Sequence, residues 1–201
     1  MRRSFRIPDL GGAEAYILHR PHPTVAAIER QLKVIGIRTI EAWPDLPPVA
    51  TAADFVFFDA DLGHDEQFPW GAGQSPMPLI ALIGSEAPGR VEWALSQNAD
   101  AHLLKPVGNA GVYSALLIAR NAFEARKALA AEVADLRQRV GERRSIVRAV
   151  GILIARGTSE DRAYDQLRHL AMTWQVSMED AAARIVSWSE EEDVTQSNRF
   201  T

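Results

Sequence analysis

The chain has 201 residues, 47% of them hydrophobic, with five Trp and seven Phe; this is enough apolar side chain for at least one real core and excludes a wholly disordered chain. It has no cysteine, which rules out a disulfide framework, a thiolate zinc site and a Cys nucleophile, and agrees with a reducing compartment. No stretch approaches the roughly 20 apolar residues of a membrane span, and the N-terminal MRRSFRIPDLGG lacks an apolar run of adequate length, so a cytoplasmic location without membrane contact is expected.

The formal charge of −4 conceals segregation. Residues 1–119 carry 9 Lys/Arg against 13 Asp/Glu, residues 137–175 carry 8 Arg against 4 acids, and Glu190–Asp193 are four acids in a row. A cationic stretch inside an acidic protein points to a polyanionic partner, although composition alone allows a solvated helix face equally well.

In chain order, Ala15–Leu18 reads as a strand and Pro23–Val34 as a helix with Val25, Ile28, Leu32 and Ile35 on one face and Gly36 as its stop. Ile37–Trp43 is a second strand. Asp54–Asp59 and Leu79–Ile83 are continuous apolar runs, the pattern of strands buried on both faces of a parallel sheet. Between them, Asp61–Pro78 is too rich in Gly and Pro to predict a helix. Gly89–Gln97 reads as helical, Ala101–Leu104 as a fifth strand, and a further helix begins near Gly111. Five βα units in this length predict an α/β fold, a doubly wound five-stranded parallel sheet of flavodoxin-like order with its functional crevice at the carboxyl ends of the strands.

No proline interrupts residues 112–155, and Leu129, Val133, Leu136 and Val140 recur at spacings of four and three, a coiled-coil seam that predicts a homodimer through one long helix. Two helix starts follow. Thr158-Ser-Glu-Asp161 offers a hydroxyl cap with an acid three residues on, ahead of an apolar stripe of Ala163, Tyr164, Leu167, Leu170, Ala171 and Trp174; Ser177-Met-Glu-Asp180 repeats the device before Ala181, Ile185 and Trp188. With Ile146, Val150, Leu153 and Ile154 these faces can close a three-helix bundle, in which Trp174, Trp188, Met172 and Met178 are expected to be packing residues. The expected boundaries are a first domain at 1–119, a linker helix at 120–143, a helical module at 144–189 and an acidic disordered tail at 190–201.

Two motif sets carry chemistry. Asp54–Leu62, which contains Asp59, and Ala101-His-Leu-Leu-Lys105-Pro106 resemble the third and fifth strands of response-regulator receiver domains. The resemblance implies a phosphoaccepting carboxylate at Asp59 and an ammonium at Lys105 that meets the phosphoryl group. Receivers also place two acids after the first strand to hold Mg²⁺, whereas this chain has His19-Arg20-Pro21, whose cationic groups repel a metal; the Thr/Ser position after the fourth strand falls on Gly84 or Ser85. Asp59 and Lys105 are therefore expected to be a vestigial phosphoacceptor pair in a pseudo-receiver, with His19 and Arg20 adding positive charge and no metal or cofactor bound.

The second set is Arg148-Ala-Val-Gly151-Ile-Leu153-Ile-Ala-Arg156-Gly157, then Ser159–Met172 and Met178–Ala182. Over about 144–188 it resembles the ANTAR domain of AmiR/NasR-type transcription antiterminators, with one departure: the family usually has Lys where this chain has Val150. The resemblance implies binding to paired hairpins of a leader transcript, so that a terminator cannot form, and control by a ligand-sensing negative regulator resembling a solute-binding protein. All eight cations of residues 137–175 are Arg, which suits phosphate and splayed bases better than Lys does. Arg144, Arg148, Arg156, Arg168 and His169 are the expected RNA contacts.

His19, His22 and His64 have no partners at metal-ligand spacing, and no catalytic signature motif appears, so a regulator and not an enzyme is expected. Two alternatives remain open on sequence: a conventional regulator phosphorylated on Asp59, and a protein-interaction adaptor whose arginines only solubilise a helix. No helix-turn-helix with a polar recognition face speaks for DNA.

Overall fold

Strands β3 (Phe55–Asp59) and β4 (Leu79–Ile83) form the centre of a five-stranded parallel sheet, and every residue in both is buried, as continuous apolar runs require when both faces are covered. The computed structural model describes residues 9–197, with side chains to Glu191. Strand β1 (Glu14–Leu18) lies beside β3 with Ile17 opposite Phe57, and beside β2 (Arg38–Ala42) with Ile17 opposite Glu41. Strand β5 (Ala101–Leu104) closes the far edge against β4. The order β2-β1-β3-β4-β5 is the flavodoxin-like one, and it reverses between β1 and β3, so the crevice opens at their carboxyl ends.

One face is covered as expected. Helix α1 (Pro23–Ile35) starts with Pro in its first turn, is capped by the His22 ring accepting from the Thr24 N–H at 3.2 Å, and stops at Gly36 in the left-handed region, φ 85°. Its Val25, Ile28 and Leu32 pack with Val112, Leu116 and Ala119 at the start of helix α3 (Val112–Ala155) over Ile17, Phe55, Phe57 and Leu82. Arg126 fastens this part of α3 through a 2.6 Å ion pair to Asp100, whose Oδ2 also accepts from the Leu79 N–H. Burial pushes the Asp100 carboxyl above its ordinary pKa, against the pull of that N–H and of Arg126.

The other face departs from five βα units. Only helix α2 (Pro88–Ser96) covers it; the β2–β3 and β3–β4 connections are short 3-10 turns at Pro48–Ala52 and Asp65–Gln67. Pro47, Pro48 and the Gly/Pro-rich segment 61–78 cannot sustain helix hydrogen bonding, so aromatic rings fill the space. Phe58 meets Phe68 edge-on at 5.5 Å and Trp93 at 5.6 Å, while Trp70 stacks on Phe68 at 5.4 Å.

The chain divides into two compact units, 1–128 and 129–201. In the second, the last turns of α3 pack with helices α4 (Glu160–Trp174) and α5 (Met178–Ser197) around Ala149, Leu153, Ala163, Leu167, Ala171, Ala181, Ala182 and Ile185. The core is narrower than the expected stripes. Tyr164, Ile154, Met172 and Trp188 are exposed, because the Ala residues at the centre bring the helices close and leave the flanking large side chains outside. Ser177 makes the expected hydroxyl cap, accepting from the Asp180 N–H at 3.0 Å and donating to its carboxylate; Ser159, not Thr158, caps α4 and makes no side-chain bond there. Helix α5 continues through Ser197, so Glu190–Asp193 lie on a helix and not in the disordered tail expected from 190; residues 198–201 of that tail, like 1–8 of the expected first domain, lie outside the described residues.

Among the described residues, no helix is long and apolar enough to cross a membrane.

Candidate functional site

The carboxyl ends of β1, β3, β4 and β5 bring His19, Asp59, Asp61, Gly84 and Lys105 together. Asp59, the last residue of β3, is 1% exposed; an unpaired carboxylate there would be costly, and the Lys105 ammonium reaches its Oδ1 at 2.7 Å. His19 follows β1 and is 2% exposed. Its Nδ1 lies 2.7 Å from the Arg20 carbonyl; with Nδ1 as the donor, Nε2 is left as an acceptor 3.4 Å from Lys105 Nζ and 3.3 Å from Asp59 Oδ2. Burial lowers the His19 pKa, and the opposing effects of the Arg20 carbonyl and Asp59 do not restore it, so the ring is neutral at neutral pH. The expected second cation, Arg20, is exposed and supplies only its carbonyl, because the chain turns outward at Pro21.

Sequence reasoning missed Asp61. Its Oδ2 lies 2.6 Å from Lys105 Nζ, and its two oxygens accept from the Gly84 N–H (2.9 and 3.1 Å) and the Ser85 N–H (2.9 Å). Desolvation works to raise the Asp61 pKa, but the Lys105 hydrogen bond and the two backbone N–H groups outweigh it and hold the carboxyl below its ordinary range. Gly84, one of the two candidates for the Thr/Ser position, directly follows β4. A Cβ there would lie 2.6 Å from Asp61 Oδ2 and 3.0 Å from Lys105 Cε, so the position must be glycine for the carboxylate to close on the backbone. The run Asp-Ala-Asp at the end of β3 shows a second acid there, but nothing local marks its partners after β4.

The Mg²⁺ implied by the receiver resemblance does not fit this donor set. A neutral imidazole and an ammonium face the two carboxylates, and Lys105 already spans both. Among the described residues no group of three or more His, Asp or Glu side chains is arranged to hold a metal ion.

In the second unit, Arg144, Arg148, Arg156, Arg168 and His169 are all exposed. Arg144 and Arg148 share a face of α3, and Arg168 and His169 sit beside the buried Leu167 on α4; Arg156 lies just past the end of α3. Arg148 is tied to Glu190 on α5 at 2.9 Å, an ion pair with both side chains more than half exposed. Arg184, absent from the expected set, lies 5.7 Å over the Trp174 ring, which meets Trp188 edge-on at 5.4 Å.

The first unit and the second match different sequence families. The AmiR N-terminal family matches residues 13–120 and the ANTAR domain matches residues 134–186, the latter starting inside the segment expected to be linker. No curated protein matches the chain. Among solved structures, the signal receiver domain of a modulated diguanylate cyclase from Desulfovibrio desulfuricans is 16% identical, covering 57% of this chain and 98% of its own at a TM-score of 0.44. The receiver domain of the sensor histidine kinase PA1611 from Pseudomonas aeruginosa, with a magnesium ion in its active-site cleft, is 21% identical over 54% of this chain and 98% of its own, TM-score 0.43. With the first match spanning more than half the chain and an ANTAR domain behind it, this chain belongs to the AmiR family of antitermination regulators.

Proposed function

We propose that this protein binds hairpins of a nascent leader transcript and so prevents a competing terminator from forming, and that a protein partner docking on the first unit sets its activity. The observation that carries the reading is the placement of Arg144, Arg148 and Arg168: all are exposed on helices whose opposite faces share one buried core, so the guanidinium groups are presented from a rigid frame. The planar guanidinium fork engages phosphate through paired hydrogen bonds and can stack on splayed loop bases. Arg156 and His169 complete the proposed contact set. The functional boundaries we assign are a pseudo-receiver to residue 119, a linker helix over 120–143 and an RNA-binding module over 144–189.

Dimerisation through α3 belongs to the same proposal. Leu129, Val133, Leu136 and Val140 are all at least a third exposed, and the seam runs on through Val147 (72% exposed) to Ile154. Val133, Val140, Val147 and Ile154 recur every seven residues, and Leu129 and Leu136 occupy the intervening positions. β-Branched residues at one seam position with Leu at the other favour a parallel two-stranded coil. Arg143 falls on the Leu track and would cost stability while fixing register.

For the first unit, the Asp59–Lys105–Asp61 cluster speaks against phosphoryl transfer, since the ammonium is already shared between two carboxylates. The partner we assign is a ligand-sensing protein resembling a solute-binding protein, which releases the regulator when its inducer binds. Retention of a stem-loop leader RNA by the purified protein in a gel shift, with duplex DNA as competitor, tests the RNA assignment. Retention that survives the DNA supports it; loss of the complex to DNA, or no complex at all, contradicts it. Incubation with acetyl phosphate and Mg²⁺ should leave the mass of the Asp59 peptide unchanged, and a phosphoryl gain there would restore the phosphorylated reading.

A further inference from the structure

Three donors converge on one side chain at the mouth of the sheet. The consecutive N–H groups of Gly84 and Ser85 and the Lys105 ammonium all reach the Asp61 carboxylate, at 2.9, 2.9 and 2.6 Å. Successive backbone N–H groups beside a fixed cation are a general recipe for an oxyanion cradle, because each contributes positive potential to one point without competing for a geometry. Such a cradle ordinarily waits for a ligand. Here the approach is too close for anything but glycine at position 84, since a Cβ would meet Asp61 Oδ2 at 2.6 Å.

We propose that the first unit carries an oxyanion-binding cradle, made by Gly84, Ser85 and Lys105, that the chain fills permanently with its own Asp61 carboxylate. A tetrahedral oxyanion such as inorganic phosphate is the ligand the same donors would take if that carboxylate were removed. The built-in occupant pins the segment from Gly84 to Ala87, which runs directly into α2, in its anion-filled arrangement at all times. A docking partner on this face then meets the loop with its cradle already filled. Asp59 takes no part in filling the cradle; it is held separately by the other side of Lys105.

The inference depends on the first unit alone and stands or falls independently of RNA binding. The test is an NMR titration of the full-length protein with inorganic phosphate at constant ionic strength, following the Gly84 and Ser85 amide resonances. In the native protein neither resonance should titrate. In Asp61→Ala both should shift saturably, and the added change Lys105→Ala should weaken that binding at least tenfold, the factor a charge-assisted hydrogen bond sustains. Saturable shifts in the native protein, or a folded Asp61→Ala protein with no shift, would overturn the proposal. Should Asp61→Ala not fold, amide exchange in the native protein decides. The Gly84 and Ser85 amides are expected to exchange roughly tenfold or more slowly than the exposed Gly89 amide, and equal rates would contradict a filled cradle.

Discussion

Lys105 is the residue on which the first unit's polar cluster depends. Removing its ammonium leaves Asp59 buried with no counter-charge, and breaking a buried pair from one side costs about 3 kcal/mol or more. Lys105→Ala should therefore lower the denaturant midpoint strongly at neutral pH; a loss below about 1 kcal/mol would show that Asp59 is not held by it. His19 gives a pH signature. Its pKa is lowered in the folded chain while the unfolded chain keeps the ordinary value near 6.5, so on acidification the unfolded state takes up the proton first. Stability is level above about pH 6.5 and falls as the pH drops through that value toward the folded pKa. His19→Gln should flatten the fall in stability between pH 6.5 and 5; an unchanged fall would place its origin elsewhere. Asp59 and Lys105 were legible because each ends a strand in a recognisable local motif. Asp61 was not, because its role depends on two backbone N–H groups more than twenty residues away and on the absence of a side chain at Gly84.

Among the described elements, α3 carries the largest number of exposed large apolar side chains, and their period argues for a partner. Val147 is 72% exposed in the single chain, so Val147→Glu should leave the unit folded while placing a charge in the proposed seam. A buried unpaired charge costs of order 3 kcal/mol, which weakens the dimer roughly a hundredfold. Sedimentation should show a dimer for the native chain and a monomer at micromolar concentration for this variant; a dimer of unchanged strength would remove the seam. Strands β3 and β4 were readable nearly to the residue because buried strands in a parallel sheet need uninterrupted apolar runs. The aromatic cover built from Phe58, Phe68, Trp70 and Trp93 was not. It joins a strand, a loop and a helix, and no period links residues whose only common property is the space left by two missing helices. The stripes on α4 and α5 were read too wide for a related reason: periodicity marks which residues share a face, while the size of Ala163, Ala181 and Ala182 sets how much of that face is buried.

For the whole molecule, the charge segregation seen in the sequence resolves into a specific competition. Glu190 already occupies Arg148, but an ion pair this exposed is worth about 0–1 kcal/mol, too little to keep a phosphate away. Glu190→Gln should therefore raise RNA affinity by no more than about fivefold at low salt and have no effect at high salt, measured by filter binding. The central claim is that guanidinium groups held on packed helices grip a folded transcript, and the most direct measurement is the salt dependence of stem-loop RNA binding by the native protein, Arg148→Ala and Arg168→Ala. Log affinity should fall linearly with log salt, at a slope of roughly −0.7 for each phosphate contact, and each substitution should flatten the line by about one contact. Slopes that stay the same in both variants, or no retention of the RNA at low salt, would contradict it.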